Sequence, residues 1–210
     1  MGTPMNDLDF SAFLVSRVCH DLVSPLGAVV NGLEVLEDER DAAMRADALK
    51  IVASSAAQAL ARIQFMRIAF GAAGSAGAEL DLNEVGRLVA GLFAGSKITL
   101  EWDVAHVHWP KDWAKLLMNA SVLAADCLPR GGTVKAVSSL DGASPSFTVR
   151  ATGVNARLLE EVEKAARGEA NSGATDARGV QPYLTHKLAR ALNAGLTLMV
   201  GEGYVEIVAG

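Results

Sequence analysis

The chain has 210 residues, of which 50% are hydrophobic and 20% charged; that is enough apolar material for one large domain or two small ones, and it excludes a disordered chain. A formal net charge of −5 with no basic cluster argues against nucleic acid as a direct partner. Cys19 and Cys127 stand far apart with no Cys/His ligand spacing, which suits a reducing compartment and offers no structural zinc site.

Residues 1–7 carry no pattern and read as a loose start. Met1 to Asp9 holds acids rather than a basic leader, and no apolar run reaches about 18 residues, so neither a signal peptide nor a membrane span is expected and the cytoplasm is the expected location. A first helix is predicted from about Leu8 to Asp38, roughly 45 Å long at the α-helical rise, ended by the charged turn Glu37 to Asp41. On its wheel Val15, Val18, Leu22, Leu26, Val29, Leu33 and Leu36 gather away from His20. Phe13, Ser16, Ser24, Gly27, Asn31 and Glu34 gather around it. His20 is thereby expected on the wet side. A second helix follows to about Phe70, with Leu49, Val52, Ala56, Leu60, Ile63, Met66 and Phe70 in one stripe. One hairpin cannot cover both stripes, so the expected solution is a second copy and an intermolecular four-helix bundle; the alternative is that the rest of the chain covers them.

Gly71 to Ala78 is small and glycine-rich and marks the expected boundary between a helical domain, 1–74, and a second domain, 78–210. The second begins with a helix from Asp81, a plausible N-cap, to Ala94, then a strand over Lys97–Val104 and a helix over Lys111–Leu128. Strands at Thr133–Leu140 and Ser146–Ala151 flank the turn Asp141 to Pro145. Helices at about Ala156–Arg167 and Pro182–Asn193 precede two strands, Leu196–Val200 and Tyr204–Val208. Helices and antiparallel strands are segregated, so the class is α+β. Trp102, Trp109 and Trp113 are expected in the core, and His186 in an ordinary surface or core role. His106 and His108 share a strand face but lack a third ligand nearby.

The stretch His20-Asp21-Leu22-Val23-Ser24-Pro25-Leu26 places an acid beside the imidazole, a hydroxyl one turn on, and a proline inside a helix, where it removes a hydrogen bond at a cost of about 3 kcal/mol. A lone histidine is most often incidental. A broken helix rule beside an exposed one points to a functional site. The motif resembles the H-box of sensor histidine kinases, and the longer run through Asn31-Gly32-Leu33-Glu34-Val35-Leu36 resembles ChpT-type histidine phosphotransferases of alphaproteobacterial phosphorelays. The order of elements beyond residue 78 resembles the Bergerat-type ATPase domain of those kinases. Lys115 to Ala120 with Leu128-Pro129-Arg130-Gly131-Gly132 matches the helix whose asparagine, here Asn119, helps hold Mg²⁺. The pattern then departs. Ala151-Thr152-Gly153 lacks the acidic adenine reader, and Gly179-Val180-Gln181-Pro182-Tyr183-Leu184 replaces a glycine-rich phosphate lid, where converging N–H groups are needed. The second domain is expected to keep the kinase fold without binding ATP, with Asn119 as a structural hydrogen-bonder.

The resemblance implies a phosphotransferase in which His20 takes a phosphoryl group from the aspartate of one receiver domain and passes it to another. Asp21 orients the ring or accepts its proton, and Ser24 hydrogen-bonds nearby. Arg17, Gly27, Ala28, Asn31 and Glu34 meet the receiver, and Pro25 bends the helix. The chain needs no cofactor or metal of its own, because the receiver supplies Mg²⁺. The implied partners are a second copy of the chain and the receivers of a CckA-like hybrid kinase and of CtrA-like and CpdR-like regulators. Two other readings stay open: an ATP-dependent autokinase with an unusual lid, and a non-catalytic dimeric scaffold.

Overall fold

A computed structural model of the chain describes residues 5–71, 77–105, 107–139, 145–169 and 179–210. It opens with two long helices, α1 (Asp7–Asp38) and α2 (Ala42–Ala69). Asn6 caps α1 by accepting from the Asp9 N–H at 2.9 Å, and Asp41 caps α2 by accepting from Ala43 and Met44, as short oxygen-bearing side chains do at helix starts. Glu39 holds the connection between them. Its carboxylate accepts from the amides of Asp41 and Arg40, which keep it below the usual carboxylate range. Arg45 reaches back from α2 to the carbonyls of Leu36 and Glu39. The helices close tightly at Gly32, where an added Cβ would stand 2.6 Å from Val52 Cγ2.

The apolar stripe of α1 divides between two directions. Val18, Leu22, Val29 and Leu36 are half-buried against the chain itself, whereas Val15, Leu26 and Leu33 are exposed. The stripe of α2 divides along its length. Leu49, Leu60 and Ile63 face outward, while Met66, near the end, enters the core. The remainder of the chain therefore covers only the far end of the hairpin, and a long apolar face remains. By length and mean hydropathy, 1.4 over its best 18-residue window, α1 would suffice to cross a bilayer, a property that counting only uninterrupted apolar runs does not register. It packs along α2 and touches the last helix through Phe10 on Tyr183 and Asp7 with Lys187.

The rest of the chain runs β1 (Glu79–Asp81), α3 (Leu82–Phe93), β2 (Ile98–Asp103), β3 (His108–Pro110), α4 (Lys111–Asp126), β4 (Gly132–Ser139), β5 (Ser146–Thr152), α5 (Glu160–Ala166), α6 (Val180–Ala191), β6 (Leu196–Gly201) and β7 (Tyr204–Ala209). Asp81 caps α3 as expected, accepting from the Asn83 N–H. Five strands form one sheet in the order β2-β4-β5-β7-β6. The expectation of antiparallel strands needs correction: β2 runs parallel to β4, with Ile98 opposite Gly132, because α4 supplies the crossover that a parallel pair requires. β1 and β3, three residues each, pair with Leu80 opposite Trp109; β1 was not expected as a strand, whereas β3 overlaps the strand on which His108 was placed. α5 is shorter than expected because Ala156–Leu159 is non-helical, tied by the Arg157 N–H to the Cys127 carbonyl. Pro182 sits third in α6 rather than first.

α4 is the central core helix, buried from Trp113 to Ala124. Trp109 meets Trp113 edge-on at 6.4 Å and lies over Phe147. Trp102 is half-buried against Gly86, where an added Cβ would fall 2.8 Å from its ring nitrogen. Phe65, Met66 and Ala69 of α2 belong to this same core. Residues 72–76 of the expected linker, residues 141–144 of the expected turn, Leu140 and His106 lie outside the described residues.

Candidate functional site

His20 stands on the open side of α1 with 73% of its side chain exposed. Its Nδ1 lies 3.2 Å from Asp21 Oδ1. The other oxygen of Asp21 accepts from Arg17 Nε at 2.8 Å, one helical turn back, where i,i+4 partners meet. A carboxylate accepting at Nδ1 favours the neutral tautomer with its hydrogen there, which leaves the Nε2 lone pair pointing to solvent.

Arg17, expected to meet a partner, is half-buried. Its side chain is only 15% exposed and committed to Asp21. It lines a cavity of 320 Å³ between the hairpin and α3–α4, with Asp21, Arg62, Phe70, Lys97 and Asp126 among the walls. Ser24 is exposed a turn beyond His20, and no hydrogen bond ties the two among the described residues. Gly27, Asn31 and Glu34 are exposed along the same side, and nothing lies within 4 Å of where a Gly27 Cβ would be. Ala28 and Asn31 line a largely apolar groove of 440 Å³ that continues across to Met44, Ala48 and Ile51 of α2.

Pro25 is buried, and α1 runs through it without interruption. Having no N–H, it leaves the carbonyl four residues earlier, that of Asp21, without its helical donor. Arg62 of α2 fills the vacancy: its Nη1 donates to that carbonyl at 2.6 Å. No motif in the sequence marks Arg62. The signal that was available is the proline itself, which announces an orphaned carbonyl but not the donor that answers it.

In the second part of the chain, Asn119 is fully buried. Its Nδ2 donates to the carbonyls of Ala69 (3.2 Å) and Lys115 (2.9 Å), and its Oδ1 accepts from Gln181 Nε2 at 3.4 Å. Among the described residues, the amide that the resemblance would turn toward a metal is spent on the end of α2 and on Gln181, and Ala151 is buried with no polar side-chain group. His108 is exposed on β3, and the described residues hold no group of three metal-ligating side chains. His186 is half-buried, stacked on Tyr183 at 6.4 Å. Burial lowers its pKa, aided by nearby Arg190 and opposed by a hydrogen bond to the Ala166 backbone.

The family model for the histidine phosphotransferase C-terminal domain matches residues 82–204. The protein phosphotransferase ChpT of Brucella abortus (strain 2308) is 37% identical over 204 residues, spanning 97% of this chain and 95% of that protein. A bacterial phosphotransferase structure solved at 1.7 Å is 33% identical and superposes with a TM-score of 0.88, covering 100% of both chains. Histidine-kinase chains superpose more loosely; the kinase domain of the blue-light activated histidine kinase of Erythrobacter litoralis EL346 is 15% identical at a TM-score of 0.47, over 88% of this chain and 94% of that one. The chain belongs to the histidine phosphotransferase family.

Proposed function

We propose that His20 is the phosphoacceptor of a phosphorelay and exchanges phosphoryl groups with the aspartates of partner receiver domains. The observation that carries this is the ring's presentation: Nδ1 held at Asp21, Nε2 open, on an exposed helix face. Nε2 attacks the phosphorus of an aspartyl phosphate; the N–P bond forms as the P–O bond to the partner's carboxylate breaks, and that carboxylate leaves with the electron pair. The ring becomes positively charged with its hydrogen on Nδ1. Asp21, itself anchored by Arg17, offsets that charge where it develops. The reverse step regenerates the neutral ring. The receiver brings Mg²⁺, so this chain contributes position and electrostatics.

The groove beside Ala28 and Asn31 is the proposed seat for a receiver helix, with Gly27 keeping the approach low and Asn31 and Glu34 as polar rim contacts. The uncovered apolar face of the hairpin supports a homodimer joined as an intermolecular bundle. The commitment of Asn119 and the missing acid at Ala151 support a second domain that does not use ATP. A cytoplasmic relay between a CckA-like receiver and CtrA-like or CpdR-like regulators is the setting the resemblance suggests.

The test uses purified full-length protein with [γ-³²P]ATP alone and then with a ³²P-phosphorylated receiver domain, wild type beside His20→Gln. Label on the wild type only with the phosphoreceiver is the expected result. Label from ATP alone would make the chain an autokinase, and no label in either case would leave a scaffold.

A further inference from the structure

The bond from Arg62 to the Asp21 carbonyl lies where it bears on the reacting ring. The helix carries a proline five residues past His20, and the acceptor which that proline orphans belongs to the residue that holds His20 Nδ1. Hairpin closure has its own clasp at the turn, where Arg45 binds the carbonyls of Leu36 and Glu39. Arg62 stands one turn before Phe65 and Met66, which are buried in the core. Its guanidinium thus ties one residue of α1 to the part of α2 that runs into the core, across 41 residues of sequence. From Asp21 the chain of contacts continues through the carboxylate, which takes Arg17 on one oxygen and the His20 ring on the other.

We infer that Arg62 is a positioning residue for the phosphoacceptor: by supplying the donor that Pro25 lacks, it sets the backbone of Asp21 and, through the Asp21 carboxylate, the orientation and tautomer of His20. Without it the Asp21 carbonyl must seek water or another donor, the peptide tilts, and the ring loses its fixed partner. Proline and arginine form a matched pair, and replacing the proline by a residue with an N–H removes the need for the arginine.

This inference rests on His20 being the phosphoacceptor, and the experiment keeps the two separable. Single-turnover transfer from a ³²P-phosphorylated receiver domain is measured for full-length wild type, Arg62→Met, Arg62→Lys, Pro25→Ala and the Pro25→Ala/Arg62→Met double variant. Thermal melts by circular dichroism confirm that each is folded. Arg62→Met is expected to lower the transfer rate at saturating donor by about 10- to 100-fold, the scale of a small misplacement of a reacting group, with the half-saturating donor concentration unchanged. Arg62→Lys restores part of the rate. In the Pro25→Ala background, where residue 25 again donates to the Asp21 carbonyl, Arg62→Met costs little. In parallel, ¹⁵N spectra of the neutral His20 ring are expected to show the Nδ1–H tautomer in wild type and a mixture in Arg62→Met. Transfer at the wild-type rate in Arg62→Met, an equal loss in both backgrounds, or an unchanged tautomer would overturn the inference. If wild type takes no label, or His20→Gln keeps it, the phosphoacceptor reading fails instead, and the ring spectra alone decide the role of Arg62.

Discussion

Truncating Leu26 and Leu33 together to alanine removes two side chains from the centre of the uncovered face of α1, each 48% exposed in the single chain. Full burial of a leucine contributes about 1.5–3 kcal/mol, so covering the exposed half contributes about 1 kcal/mol per side chain. In the proposed homodimer a two-fold axis would place each position in the interface twice. If the chain dimerises as proposed, the double variant is expected to lose about 4 kcal/mol of dimerisation free energy, close to a 1,000-fold rise in the dissociation constant. Sedimentation velocity over a concentration series reads this directly, with Val154→Ala as a control at an exposed site away from the hairpin (67% exposed). A wild type that is monomeric throughout the series, or a double variant that dimerises as tightly as wild type, would refute the argument.

Two further outcomes follow from other parts of the structure. Burial pushes the Cys127 thiol up to about 12, with Asp126 adding to the effect, so under native conditions a thiol reagent should modify Cys19, which is exposed in the single chain, and leave Cys127 untouched until denaturant is added; modification of Cys127 in the folded protein would contradict the buried placement. His186 is disfavoured as a cation in the folded state, so its contribution to stability is fully present above the unfolded value near 6.5 and is lost as pH falls through its lowered folded value. His186→Gln should flatten that decline in urea melts taken from pH 7.5 downward, and an unchanged slope would show that other groups cause it.

How much of this could be read from the amino acids depends on the range over which each feature is determined. The side of α1 that carries His20 follows from helical periodicity alone, and the Asp81 cap follows from one side chain and the backbone beside it. The direction of β2 against β4 did not follow, because parallel pairing depends on the path of the intervening chain rather than on the residues of either strand. β1 escaped because three residues give no period to detect, and it is held in place by its pairing with β3. At the site, Asp21 and Pro25 were visible as a broken rule. Arg17 was visible only as a surface cation, since its burial comes from elements more than 40 residues away. Arg62 lay furthest out of reach, because its partner is a main-chain oxygen that looks the same in every residue.

The placement of α2's last turn bears on how the two parts of the molecule move. Phe65 is 1% exposed, Met66 7% and Ala69 1%, all within the core formed with α3 and α4, and the Ala69 carbonyl is bound by Asn119. Swinging the hairpin away would return a phenylalanine and a methionine to water at about 5 kcal/mol together, before the Asn119 bond is counted. Only about one molecule in several thousand would be open at any instant. In the proposed relay each receiver would then meet the hairpin already docked on α3 and α4, and the choice among receivers would fall to their own shape and charge.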